Sequence, residues 1–374
     1  MNLGGGAESE FDELAAELTD VFDAGVDQDL SEEGFTRLAL RTFRFQCREN
    51  RVFGDLVRSR GIDPDRIDRW QEIPLVPTRV FRHVPLFSAP LASAERVFRT
   101  SGTTGSGVRG THYVRSLALY RAAALPVFAA NVLPDGARLP VVALLPSPQA
   151  AADSSLSYMV EAVMATYGAT GGGWFLDADD GLLTARFRTT LDAAVDDGSP
   201  VCLVATAFAL VHLLEACGRD GWSVSLPEGS RLMETGGYKG RTRSLSRSEL
   251  YGGVEDWLGI PSAAIVNEYG MTEMLSQLYR SPLRTGEKDL DHHGPPWVRT
   301  QVLDPITLRP VESGAGLLAH FDLANLGTVS SILTEDWGER RGGGICLLGR
   351  APGAEPRGCS LAAEEILSVA RGLP

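Results

Sequence analysis

Positions 99–110 read R-T-S-G-T-T-G-S-G-V-R-G and follow a short strand-like run at 95–100. Glycines let the backbone approach a ligand closely, and exposed N–H groups with small hydroxyls suit phosphate oxygens. Thr100, Ser101, Gly102, Thr103, Thr104 and Gly105 would supply those donors, and Arg109 a positive charge. The order is neither that of the P-loop nor that of the dinucleotide fingerprint. A plain glycine- and serine-rich surface loop has the same composition. A second cluster, N-E-Y-G-M-T-E at 267–273, sets an aromatic ring, a hydroxyl and a carboxylate around a glycine turn after a strand. Tyr269 beside Gly270 can stack on a flat base, Thr272 can reach a phosphate, and Glu273 can hold Mg²⁺ against it. The bland alternative is a strand–turn with polar surface residues. A third, E-T-G-G-Y-K-G at 234–240, has Gly236 and Gly237 where backbone can approach a ring. It also carries Lys239, which can pair with a phosphate or stay solvated.

The elements that must position these turns follow from periodicity. Residues 1–8 read as a flexible tail. Positions 11–22 carry apolar residues at helical spacing, and 35–61 read as a second helical pair. The prolines at 74 and 77 enforce an extended crossing. A helix is expected at 116–132 and a buried strand at 139–145. Helices at 154–167, 207–216 and 246–258 then alternate with strands at 201–205, 230–233 and 263–267. Such alternation implies an α/β fold, with mixed or parallel sheets covered by helices. Ligands collect where the strands of such sheets end, and all three glycine turns stand at expected strand ends. After about residue 286, short strands (301–303, 316–321, 345–348) suggest a small β-rich subdomain.

Composition narrows the function. The 374 residues exceed one usual core, and a formal net charge of −13 argues against nucleic acid or an anionic membrane as the main partner. Only two of the 35 basic residues are lysines, Lys239 and Lys288. The five cysteines are widely spaced with no C-x-x-C, which fits a reducing cytoplasm rather than a disulfide framework or zinc site. No secretory signal pattern is present, and the longest apolar run, 201–214, is too short to span a bilayer. D-H-H at 291–293 can look like a metal pair, but its glycine and proline neighbours favour a surface loop. Cys346, in an apolar run, reads as core.

T-S-G-T-T-G and Y-G-M-T-E resemble the phosphate loop and the Y-G-x-T-E motif of the adenylate-forming superfamily. T-E-D-W-G at 334–338 with L-G-R at 348–350 resembles its T-G-D…L-G-R pair, although Glu335 stands in place of the usual glycine. With E-T-G-G-Y-K-G, the I-P-L-V-P run at 73–77 and the terminal R-G-C at 357–359, nearly the whole chain resembles the LuxE acyl-protein synthetases. The resemblance implies a fold like the N-terminal domain of adenylate-forming enzymes. It divides the chain into a helical segment (1–80), an α/β nucleotide- and acyl-binding core (81–285), and a β-rich subdomain (286–374) ending in an acyl-accepting cysteine loop. The larger family members continue into a mobile lid domain carrying a distal lysine. This chain stops at Pro374, so the lid is expected to be absent.

The resemblance further implies that ATP and Mg²⁺ are used to turn a carboxylic acid into acyl-AMP. Tyr269 would meet adenine, Thr272 the α-phosphate and Glu273 the Mg²⁺. Asp336 would accept from the ribose hydroxyls with help from Arg350, with Asp322 as a competing choice. Arg109 stands where the larger enzymes have lysine, which keeps charge but not geometry. Cys359, expected on an exposed glycine turn with an arginine favouring its thiolate, would take the acyl group and pass it to a reductase or acyl carrier protein. The acyl pocket would lie along 154–167 and 201–214, where Met159, Val163 and Phe208 are either pocket or core. The alternatives are an AMP-forming acyl-CoA or amide ligase with a passive Cys359, and a degenerate scaffold without catalysis.

Overall fold

The structure, a computed structural model, describes residues 4–101, 108–177, 181–236, 245–351 and 357–372. In chain order the elements are α1 (Gly4–Asp23), α2 (Glu32–Glu49), α3 (Arg51–Ser59), β1 (Val76–Pro77), β2 (Arg96–Arg99), β3 (Thr111–Val114), α4 (Leu117–Val132), β4 (Pro140–Leu144), α5 (Ser155–Tyr167) and β5 (Ala169–Trp174). There follow β6 (Leu176–Asp177), β7 (Gly181–Leu182), α6 (Thr184–Asp196), β8 (Cys202–Thr206), α7 (Ala207–Asp220), β9 (Arg231–Thr235), α8 (Arg247–Leu258), β10 (Ile265–Tyr269), β11 (Leu278–Arg280) and α9 (Pro282–Thr285). The chain closes with β12 (Val298–Leu303), β13 (Ala315–Asp322), β14 (Ser331–Arg341), β15 (Gly344–Arg350) and α10 (Arg357–Ala370). The α1 helix starts at Gly4, inside what reads as a tail. Once a helix has nucleated, adding one more residue costs little, so it can run back through poor helix formers.

These elements form two compact units, each discontinuous in sequence. One comprises residues 1–126, 271–277 and 293–374; the other comprises 127–270 and 278–292.

The first unit is built on a sheet ordered β1-β14-β13-β12, with β15 added to β14. Its pairs are antiparallel except β1 with β14. Ser31 caps α2 by accepting from the Gly34 N–H, and Asn50 caps α3 by accepting from Phe53. The apolar side of α2 brings Phe35 against Trp70 and Phe321. Two polar residues at the end of the same helix are also buried. Gln46 donates to the Asn325 carbonyl (3.0 Å) and accepts from the Ser330 N–H (3.2 Å), and Asn50 donates to the Thr328 carbonyl (3.2 Å). Buried amides of this kind are tolerable only when paired, so α2 fixes the loop at 325–330. Strands β2 and β3 pair antiparallel, Arg99 opposite Thr111.

The second unit holds a six-stranded sheet ordered β11-β10-β9-β8-β4-β5, parallel apart from β11. Four residues of β8, Cys202 to Ala205, are buried, as an interior parallel strand requires. Residues of α6, α7 and α8 form one apolar cluster with the central strands. A capping box of Ser246 and Glu249 starts α8, and Gly259 at φ 69° ends it in the left-handed region. Met159 and Val163 are buried, but Phe208, expected as core or pocket, is 48% exposed and packs edge-on to His212. Position 208 lies on the outer face of α7, whereas Ala207, Ala209 and Leu210 face inward. Cys346 is half-buried rather than core, because the inward residue of that run is Ile345.

Candidate active site

In the first unit the hairpin brings the glycine stretch to Glu273. Thr100 and Gly110 close the base of the loop. The Thr100 N–H donates to the Gly110 carbonyl (3.0 Å), and the Gly110 N–H donates to the Thr100 hydroxyl (2.9 Å). Arg109 folds back on this base, donating from Nε to the Thr100 carbonyl (2.5 Å) and from Nη2 to the Arg99 carbonyl (3.2 Å). A β-carbon added to Gly110 would lie 3.0 Å from the Thr100 side chain and 3.6 Å from Glu273 Oε1. The Glu273 carboxylate therefore stands beside Gly110, where a side chain would crowd it. Ser101 is exposed at the loop's start. Gly102, Thr103, Thr104 and Gly105 lie outside the described residues, as do Gly237 and Lys239.

The turn carrying Thr272 and Glu273 is pinned from three sides. His112 in β3 donates from Nδ1 to the Thr272 carbonyl (2.7 Å), and its Nε2 faces the Thr328 hydroxyl (3.3 Å). Burial pushes this imidazole down to about 4, so it stays neutral and keeps one donor and one acceptor for those partners. Asn325 donates to the Glu273 carbonyl (2.8 Å) and accepts from the Leu275 N–H (3.1 Å). Asp322 is completely buried and accepts from Leu275 N (3.0 Å), Ser276 N (2.9 Å), Ser276 Oγ (2.7 Å) and Ala324 N (3.0 Å). Its carboxylate is committed to holding the chain just after Glu273. Desolvation raises its proton affinity against the pull of those donors.

Asp336 and Arg350 are cross-strand partners on β14 and β15. Arg350 Nε lies 3.3 Å from Asp336, and Nη1 donates to Glu335 at 2.7 Å. The sequence-expected pair is thus brought together, with Glu335 as a second acceptor for the same guanidinium.

Cys359 departs from expectation. It lies in the first turn of α10, 1% exposed, in an apolar cluster with Leu303, Leu317, Ala319 and Leu333. It is not on an exposed glycine turn, because an apolar face of α10 docks on the sheet and takes the small thiol with it. Gly358 permits that contact: a β-carbon there would stand 2.9 Å from the Leu308 side chain and from the Pro305 carbonyl. Arg60 clamps Glu365 through two hydrogen bonds (2.8 and 2.6 Å), and Arg79 donates to the Ser360 carbonyl (2.7 Å).

In the second unit Gly236 and Tyr269 stand at the ends of adjacent parallel strands, β9 and β10, with Gly270 next in the chain. Below them lie two buried glutamates. Glu234 accepts from Tyr251 (2.9 Å) and Asn267 (2.5 Å), and Thr235 donates to Glu268. Burial raises both carboxyls, Glu268 to about 7. The D-H-H stretch is not a surface loop throughout: His292 is 1% exposed and bonded to Asn267. Its flanking prolines mark the turn correctly, but β11 and α9 return the chain against β10. Among the described residues no group of three metal-ligating side chains forms, and no helix is long and apolar enough to cross a membrane.

Sequence reasoning missed His112 and Asn325, which hold the Thr272–Glu273 turn, and read His292 as part of a surface loop. For His112 a signal existed: it shares the inward parity of Val114 in β3. For the other two, no local pattern distinguishes them.

The architecture is that of an adenylate-forming ligase. It aligns at a TM-score of 0.58 and 15% identity with an open conformation of 2-hydroxyisobutyryl-CoA ligase in complex with 2-HIB-AMP and CoA, covering 84% of this chain and 74% of that one. A long-chain-fatty-acid-CoA ligase from Archaeoglobus fulgidus aligns at 0.50 and 15% identity, covering 69% of this chain and 52% of that one. The family model for "Acyl-protein synthetase, LuxE" matches residues 7–368, and the chain belongs to that family of ligases. Among its relatives, the long-chain-fatty-acid–luciferin-component ligase of Vibrio harveyi is 20% identical over 347 residues, 89% of this chain and 88% of the relative. The Aliivibrio fischeri protein of the same name is 21% identical over 308 residues, covering 81% of this chain and 78% of its own length.

Proposed function

We propose that this chain activates a fatty acid with ATP and hands the acyl group to a thiol. The observation that carries the reading is the Thr272–Glu273 turn, held at the base of the glycine loop by His112, Asn325 and Asp322. The carboxylate of the acid attacks the α-phosphorus, forming acyl-AMP and releasing pyrophosphate. Loop donors and the Thr272 hydroxyl would stabilise the charge that builds on the phosphate oxygens. The Tyr269 ring would stack on the adenine, and Asp336 with Arg350 would hold the ribose. Glu273 is the carboxylate suited to Mg²⁺, since this ion typically takes one or two carboxylates plus phosphate oxygens and leaves room for water. Bound there, the ion would neutralise phosphate charge. The Cys359 thiolate would then attack the acyl carbonyl and expel AMP. A partner protein's thiol would take the acyl group in turn, restoring Cys359.

The burial of Cys359 favours a second reading. Here the thiol is structural and acyl-AMP passes directly to CoA, an amine or a carrier. Acylation of Cys359 requires the first turn of α10 to leave its apolar cluster, whereas direct transfer does not. Intact-protein mass after incubation with Mg²⁺-ATP and a panel of carboxylic acids separates the two. The first reading expects a gain of acyl minus water, sensitive to hydroxylamine and lost in Cys359→Ala. The second expects pyrophosphate exchange in both proteins with no mass gain in either.

A further inference from the structure

The polar chain buried in the second unit has a fixed direction. Asn267 Oδ1 faces Arg247 Nη2 (3.4 Å), which can only donate, so this atom is the amide oxygen. Asn267 Nδ2 then donates to Glu234 Oε1 (2.5 Å), which also accepts from the Tyr251 hydroxyl (2.9 Å). His292 Nε2 lies 2.6 Å from the same Asn267 oxygen and must donate to it. The imidazole is therefore held in one tautomer and one orientation, 1% exposed. Its ring meets the Tyr269 ring in a T-shaped contact, centroids 6.3 Å apart and planes at 69°. Tyr269 itself is half-buried at the end of β10.

We propose that His292 is a positioning residue for the nucleotide base, oriented by Asn267 and setting the plane of the Tyr269 ring on which the base stacks. The proposal rests on the reading of Tyr269 as the stacking residue. A ring anchored at its edge presents a fixed face, so a purine stacking on it need not freeze the ring's torsions on binding. His292 is assigned to the base rather than to the phosphates, because it bonds Asn267 and meets the Tyr269 ring. The Tyr251–Glu234–Asn267 chain anchors the imidazole from the strand below. This gives the buried Glu234 a use besides capping a helix tyrosine.

The test measures equilibrium binding of two probes, Mg²⁺-ATP and inorganic tripolyphosphate, to the full chain by calorimetry. The proteins are wild type, His292→Leu, His292→Phe, Tyr269→Leu and the Tyr269→Leu/His292→Leu double variant. An aromatic edge contact of this type supports a loss of about three- to tenfold in ATP affinity for His292→Leu. Tripolyphosphate, which has no base, should bind within about twofold of wild type, since the phosphate-facing residues are untouched. His292→Phe, which keeps a ring, should recover most of the loss, and His292→Leu should add little once Tyr269 is gone. Equal loss for ATP and tripolyphosphate, undiminished ATP binding in His292→Leu, or full additivity with Tyr269→Leu would each overturn the proposal. So would failure of both the leucine and the phenylalanine variants to fold, which would make His292 a folding residue. If Tyr269→Leu alone binds ATP like wild type, the stacking role of Tyr269 fails instead. An ATP loss in Tyr269→Leu with none in His292→Leu leaves that role standing and removes His292 from it.

Discussion

Asp322 separates a structural carboxylate from a ligand-binding one, and Asp322→Asn is the substitution that tests the difference. The aspartate accepts four hydrogen bonds, two on each oxygen: Leu275 N and Ser276 N on Oδ2, and Ser276 Oγ and Ala324 N on Oδ1. Asparagine must point its amide nitrogen at one of these pairs. Facing the Oδ2 pair it meets two N–H donors. Facing the Oδ1 pair it meets one, because the Ser276 hydroxyl can turn to accept. The second orientation is cheaper and leaves one buried N–H without an acceptor, a cost of about 1–3 kcal/mol. The remaining bonds lose their charge assistance, about 1 kcal/mol each, offset in part because no charge is buried any longer. The net expectation is a stability loss of about 2 kcal/mol for Asp322→Asn and at least twice that for Asp322→Ala, which removes the acceptor of all four donors and leaves only the Leu275 N–H with a partner, Asn325.

Urea unfolding measures this loss, and pyrophosphate exchange with ATP and 2′-deoxy-ATP measures the site. Since the carboxylate holds the chain after Glu273, KM for ATP should rise in Asp322→Asn. Discrimination between the two nucleotides should be unchanged there and diminished in Asp336→Asn. Wild-type stability with lost discrimination in Asp322→Asn would falsify this account and return Asp322 to the ribose.

Glu268 carries a carboxyl raised to about 7 by burial, so the folded state binds a proton more tightly than the unfolded one, and stability falls as pH rises between about 4.5 and 7. Glu268→Gln, whose amide oxygen still accepts from Thr235, should therefore exceed wild type in stability by up to about 3 kcal/mol at pH 8 and match it near pH 4.5, as read by denaturant melts at both pH values. His112 has the opposite sign: held down at about 4, it favours the folded state above pH 6.5 and loses that advantage as pH falls toward 4. Replacing it by glutamine should flatten the acid limb of the stability curve and raise KM for ATP at neutral pH; a wild-type acid limb would refute the assignment. Gly358→Ala places a methyl group 2.9 Å from Leu308 and Pro305. It should cost about 1–3 kcal/mol and speed modification of Cys359 by a thiol reagent, followed by peptide mass mapping. Unchanged labelling would show that α10 docks without that close contact.

The parts of this protein legible in its sequence are those set by local rules. Strands and helices alternate with apolar periods of two and 3.6 residues, and glycines follow β2, β9 and β10 in the chain, where a tight turn at a strand end favours residues without a β-carbon. The glycine loop, the Tyr269–Glu273 stretch and the Asp336–Arg350 pair were all locatable in the linear chain, the last only through its resemblance to the T-G-D…L-G-R pair, since a register shift between Trp337 and Gly338 hides the pairing offset. What tertiary structure decided is which polar groups lost their water. Asp322 carries a ribose-binding or a structural carboxylate equally well on paper. Only its burial against the 275–276 backbone settles where its lone pairs go, 46 residues away. His292 reads as loop by its prolines and becomes a buried donor because Asn267, on β10, offers an acceptor. Cys359 reads as exposed beside a glycine and is buried because that glycine lets α10 press against Leu308. Periodicity and turn chemistry act over a few residues and survive in the sequence. Desolvation and hydrogen-bond satisfaction depend on neighbours brought in from anywhere in the chain, and the chain order alone does not say which those will be.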